Sequence, residues 1–115
     1  MLIPKWVPYE KQMCQLGKHH WSVSRLVDLS KDLEIIDAPL DLISVNSVYE
    51  CLRLRDFVMH MKAIEDADLS YPIILDEDGE LMDGRHRIMK AMMLGNETIK
   101  VVRFQKNPSP CREGE

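Results

Sequence analysis

From Ser22 onward apolar side chains return at helical intervals, at Val23, Leu26, Val27 and Leu33, and Ser22 stands where an N-cap would. The spacing predicts a short helix through about Lys31. From Ile35 to Ile43 the pattern changes to alternation, with Ile36, Ala38, Leu40 and Leu42 separated by other residues. Pro39 makes this an edge or irregular strand, because proline has no N–H to donate to a ladder. Ser47 and Glu50 have capping-box spacing, and behind them Val48, Cys51, Leu54, Val58, Met61 and Ile64 form a stripe at intervals of three and four. That stripe predicts a long amphipathic helix ending near Asp68, with Met59 and Met61 as core filler and His60 partly buried beside the stripe.

The run YPIIL is then compactly apolar, DEDG has the composition of a turn, and ELM follows as a short extended segment, which together predict a hairpin. A helix is expected from near Gly84 through Met93, with Ile88, Ala91, Met92 and Leu94 among its buried residues and Gly95 as its C-terminal stop. Thr98 to Phe104 is a further β-rich segment, and NPSPCREGE reads as a loose polar tail. Residues 1–20 carry Pro4, Pro8 and Gly17 without a clear period and read as an arm that lies on the domain or stays mobile. The expected organisation is therefore an N-terminal arm (1–20), one domain (21–105) and a C-terminal tail (106–115). Its class is α+β, or mixed α/β, since the pattern alone leaves strand order open.

Composition narrows this picture. At 115 residues and 45% hydrophobic content, one modest core is affordable and two ordinary domains are not. No run of 18 apolar residues occurs, and MLIPKWVPYEKQ lacks the continuous apolar stretch of a signal peptide, so a soluble cytoplasmic protein without a membrane partner is expected. Cys14, Cys51 and Cys111 are odd in number and scattered, which suits neither a disulfide framework nor a zinc site. His19 and His20 lack further ligands at helical spacing. Asp76, Asp78 and Glu80 begin like a calcium loop, but Arg87 stands where the closing glutamate belongs. Neither zinc nor calcium is expected.

The net charge of −4 argues against non-specific binding to nucleic acid, which depends on cations neutralising phosphates. That average conceals a split. Residues 28–80 hold 14 acidic and 4 basic side chains, whereas residues 84–106 hold 6 basic ones and a single acid, Glu97. An anionic partner would meet the basic end, which starts with Asp83, Gly84, Arg85, His86 and Arg87 at the beginning of a helix. A helix start offers unpaired N–H groups and partial positive charge, glycine allows close approach to the backbone, and arginine presents a fork of donors to phosphate or carboxylate. His86 can bind a phosphate or move a proton. The competing reading is that Asp83 caps the helix, Gly84 relieves strain, and Arg85 and Arg87 pair with Asp76, Glu77 or Asp78 on the surface.

The segment PIILDEDGELMDGRHRIMKAMMLGNETIKVV resembles the central part of the ParB/sulfiredoxin superfamily, which includes ParB-like nuclease domains. Members show PI, then D-x-x-G-x-x-x-D-G-x-H-R, then a helix ending in glycine and a strand. The match runs over residues 71–104, about a third of the chain. It implies a small mixed sheet with flanking helices and places Gly84 to Arg87 at a turn that binds nucleotide phosphate. Sulfiredoxins carry a catalytic cysteine where this chain has Arg85, so their reductase chemistry is not expected. ParB partitioning proteins add DNA-binding helices for which this chain is too short and too acidic. The D-G-x-H-R form is similar to that of ParB-fold free serine kinases, in which a separate acid assists a hydroxyl nucleophile. The resemblance thus implies a nucleotide (ATP, ADP or CTP), with Mg2+, and phosphotransfer or nucleotide hydrolysis. The catalytic candidates are His86, Asp41 and Glu50. A non-catalytic accessory module for DNA-associated machinery is the alternative, and a vestigial fold serving protein interaction a third.

Overall fold

A computed structural model describes residues 12–43 and 53–113. Its central sheet has four strands: β3 (Ile36–Pro39), β4 (Ile73–Leu75), β5 (Leu81–Asp83) and β6 (Thr98–Arg103), in the order β3-β6-β4-β5. β4 and β6 run parallel, and the outer pairs β3/β6 and β4/β5 are antiparallel. Pro39 does lie on an edge strand. A second sheet joins β1 (Met13–Leu16), β2 (His19–Ser22) and β7 (Arg112–Glu113). Helices α1 (Val23–Ser30), α2 (Leu54–Asp66) and α3 (Arg85–Met93) complete the mixed α+β fold.

The central sheet is covered on both faces, which explains why YPIIL shows no alternation. On one face Ile74, Met82 and Val102 meet Cys14 and Trp21 of the hairpin and Val23 and Leu26 of α1. On the other, Ile73, Leu75, Ile99 and Val101 meet Ile88 and Ala91 of α3. Ser22 caps α1 as its sequence position indicates, accepting from the Arg25 N–H. Gly95, at φ 74°, ends α3: its N–H bonds to the Met92 carbonyl and that of Asn96 to the Ala91 carbonyl.

Several sequence-based expectations change. Residues 13–20, read as arm, instead join Trp21 and Ser22 in a hairpin across Gly17 and Lys18, with Gly17 at φ 61°. Part of the expected tail folds back too. The Trp21 indole donates to the Pro108 carbonyl at 3.0 Å, and residues 112–113 pair with residues 19–20. The predicted stripe on α2 is only partly inward. Ile64 is buried, but Leu54 and Met61 are 80% and 53% exposed, because α2 lies against α3 instead of against the sheet. Met61 is therefore not core filler. Met92 and Leu94 are likewise 64% and 61% exposed, since only the Ile88–Ala91 face of α3 meets the sheet. The capping box of Ser47 and Glu50, together with Val48 and Cys51, lies outside the described residues.

Candidate anion-binding cavity

At the end of β5 the chain passes through Gly84, at φ 117° and ψ 20°, into α3. Glycine is required here for two reasons. The dihedral is one that residues with a side chain rarely adopt, and a Cβ would lie 2.4 Å from Cγ2 of Ile73. The side left bare by Gly84 thus faces β4 rather than a ligand, which differs from the expectation that this glycine opens the backbone to an anion.

Ile88 is the first residue of α3 whose N–H finds an intrahelical acceptor, the Gly84 carbonyl at 3.0 Å. The N–H groups of Arg85, His86 and Arg87 precede it in the first turn, the electropositive end of the helix. Asp83 is not the cap. Its carboxylate accepts from Arg87 Nη2 at 2.6 Å, while Arg87 Nη1 donates to the Pro72 carbonyl at 2.8 Å. Both side chains of this ion pair are 17% exposed, so the pair ties the β5–α3 turn to the entry of β4 and neutralises Asp83. Asp76, considered above as a partner for the arginines, is turned into its own loop and accepts from the N–H groups of Asp78 and Glu80 at 2.8 Å.

His86 is half-buried, and its Nε2 lies 3.0 Å from Nδ1 of His60 on α2, with ring centroids 5.2 Å apart. Burial chiefly, with His60, Arg85 and Arg87 adding to it, holds His86 down to about 4. His60 is also lowered, by burial first and then by Arg85, against the opposing pull of Asp56. The two rings are therefore neutral near pH 7. A second link between the helices comes from Lys90, whose Nζ donates to the carbonyls of Glu65 at 2.9 Å and Ala67 at 2.7 Å.

Asp83, Gly84, Arg85, His86 and Arg87 all line one cavity of about 1030 Å³. Its remaining walls come from β1 and α1, through Met13, Cys14, Val23 and Val27, and from the end of α2 and the α2–β4 connection, through Asp66, Asp68 and Tyr71. The Cys14 thiol on this wall is pushed up to about 12 by burial and by the carboxylates of Asp83 and Asp76, which leaves it an unreactive apolar surface. Of the two acids proposed from sequence, the one among the described residues, Asp41, does not line the cavity. Asp41 is exposed on the short 3-10 turn Leu40–Leu42, at the same end of the sheet but beyond β6 and β4, and Glu50 falls outside what is described. The carboxylates that do reach the cavity, besides Asp83, are Asp66 and Asp68. Asp66 pairs with Lys62 at 3.1 Å. Asp68 accepts from the Ser70 N–H and hydroxyl, which hold its carboxyl below the usual range. Sequence reading passed over both because Asp66 is the last residue of α2 and Asp68 follows just after it, in a run whose acidity looked like a plain helix stop.

Among the described residues no group of three or more His, Cys, Asp or Glu could hold a metal ion. None of their helices is long and apolar enough to cross a membrane. No protein-family model, curated protein or solved structure matches this chain.

Proposed function

We propose that the cavity binds a small phosphate-bearing ligand, in the simplest case a nucleotide, with its phosphate at the first turn of α3. The single observation that carries this reading is that the electropositive start of α3 opens into a cavity with an apolar wall. Small-molecule pockets of roughly 300–1,000 Å³ combine an apolar surface with a few converging polar groups in this way. The wall of Val23, Val27 and Met13 suits the organic body of such a ligand, and the N–H groups of residues 85–87 with the Arg85 guanidinium suit its anion. The similarity of D-G-R-H-R to the nucleotide-binding members of the ParB/sulfiredoxin superfamily points the same way.

The two arginines then have separate tasks. Arg85, exposed and lining the cavity, is assigned the anion, while Arg87 shapes the turn through Asp83 and Pro72. Magnesium, if the ligand carries it, would arrive on the phosphates, because such ions use one or two carboxylates together with substrate oxygens; Asp66 and Asp68 are the carboxylates on offer. Phosphotransfer or hydrolysis would draw on the same acids and on the neutral His86 imidazole.

Thermal shift with ADP, ATP and CTP, with and without magnesium, tests the proposal, because a ligand selective for the folded form raises its apparent stability. A saturable rise is expected. Arg85→Ala should weaken binding by roughly 1.5–3 kcal/mol, the range of a charge-assisted hydrogen bond. Arg87→Ala should lower the melting temperature of the free protein as well. Salt-sensitive DNA binding with no response to any nucleotide would replace this reading with the accessory-module alternative.

A further inference from the structure

Helix α2 turns one apolar flank outward. Leu54, Phe57 and Met61 recur along it at intervals of three and four, and each is more than half exposed, as are Met93 and Leu94 at the end of α3. Val58, Met61, Ile64, Met93 and Leu94 line a groove of about 650 Å³ between the two helices, and Leu54 and Phe57 carry its α2 wall back by one turn. Single apolar residues scattered over a surface are ordinary, whereas a joined patch of this kind marks a place that receives another surface. No residue of the groove also lines the anion-binding cavity, so the two sites are separate.

The charges on α2 indicate what the groove receives. A helix is favoured by acids at its start and bases at its end. The N-cap of α2 is the exposed Arg53, which makes no side-chain capping bond, and its last two residues are the exposed Glu65 and Asp66. Within the chain Asp56 offsets the basic end in part, and Lys62 and Lys90 offset the acidic end in part. The end charges nevertheless stand in the order that the helix's own dipole disfavours. An antiparallel copy of the same helix answers both ends at once. With a two-fold axis level with Met59, Arg53 of one copy comes level with Glu65 of the other, and Phe57 with Met61. An ion pair and a thioether-to-aromatic contact are then each made twice.

We propose that the α2–α3 face is the two-fold interface of a homodimer, in which α2 packs antiparallel against α2 of a second copy and Arg53 and Glu65 close the seam at each end.

Sedimentation velocity of the full chain between about 1 and 300 μM tests this, since interfaces of ordinary size hold at micromolar concentrations or below. A dimer is expected. Met61→Glu, which sets a carboxylate in the apolar seam of both copies, should raise its dissociation constant about 100-fold or more, with circular dichroism showing that the variant still folds. Arg53→Glu and Glu65→Arg each bring like charges together and should each weaken the dimer roughly tenfold, whereas the double variant restores opposite charges and should recover it. Both single substitutions suit the helix dipole better than the residues they replace, so a weaker dimer cannot come from a weaker helix. A monomer throughout the range would overturn the proposal, and resistance of its Met61 and Met93 to peroxide would mean that the chain's own residues cover the face instead. A dimer indifferent to Met61→Glu would overturn it too, by placing the interface elsewhere. A double variant no better than the single ones would overturn the antiparallel pairing.

Discussion

Gly84 shows how much a single residue can hide. Its sequence context indicates a special backbone conformation, and the positive φ agrees, but the reason a methyl group is excluded lies eleven positions away at Ile73. Gly84→Ala should cost roughly 2–4 kcal/mol, combining an overpacked core contact with an unfavourable dihedral. Urea unfolding would measure it, and a loss below 0.5 kcal/mol would show that the turn relaxes freely. The cysteines differ for equally local reasons. The exposed Cys111 sulfur accepts from the Ser22 N–H at 3.3 Å and lies 3.6 Å from Arg25 Nη1, contacts that lower its thiol, whereas burial raises that of Cys14. Iodoacetamide should label Cys111 in the native protein and reach Cys14 only after unfolding, as peptide mass spectrometry would reveal. Nothing in the spacing of the cysteines could have distinguished them, because both effects come from residues distant in sequence.

Among the elements, those whose partners are close in the chain were the most legible. Ser22 and α1, the β4–β5 hairpin with its Asp76 turn, and the glycine ending α3 each follow from short-range chemistry. The β1–β2 hairpin escaped notice because its strands, MCQL and HHWS, do not alternate cleanly, and its one signal is a glycine opening a two-residue turn. For α2 the existence of a helix was legible and its orientation was not, since a stripe of apolar residues does not say whether it meets a sheet or another helix. Lys90 now appears as the element-scale link, reaching from α3 to the carbonyl end of α2. Lys90→Met should remove about 1 kcal/mol through the lost charge at the end of the α2 dipole. Hydrogen exchange should quicken first in the last turn of α2, and uniform exchange across the protein would argue against a local link.

For the whole molecule, the α+β class was legible, but strand order and the second sheet were not, since both depend on pairings between distant segments. The candidate site divided in the same way: the turn from Asp83 to Arg87 was found, while Asp66, Asp68 and the His60 contact required the tertiary fold. That contact also makes global stability depend on pH. An unfolded histidine titrates near 6.5, whereas folding holds His86 at about 4 and lowers His60. Between these values the unfolded chain binds more protons, so the pair's contribution is complete above about pH 6.5 and is lost as pH falls through the folded value. Urea midpoints should therefore drop between pH 7 and 4.5, and His60→Gln should flatten that profile. The return of residues 112–113 to β2 has a consequence for synthesis. At the usual rate of about 5–20 residues per second, His19 and His20 wait roughly 5–20 s before Arg112 and Glu113 exist to pair with them. A ribosome stalled before Pro108 would leave the nascent hairpin with an unprotected edge and its tryptophan without the carbonyl that receives it, open to any other extended chain nearby.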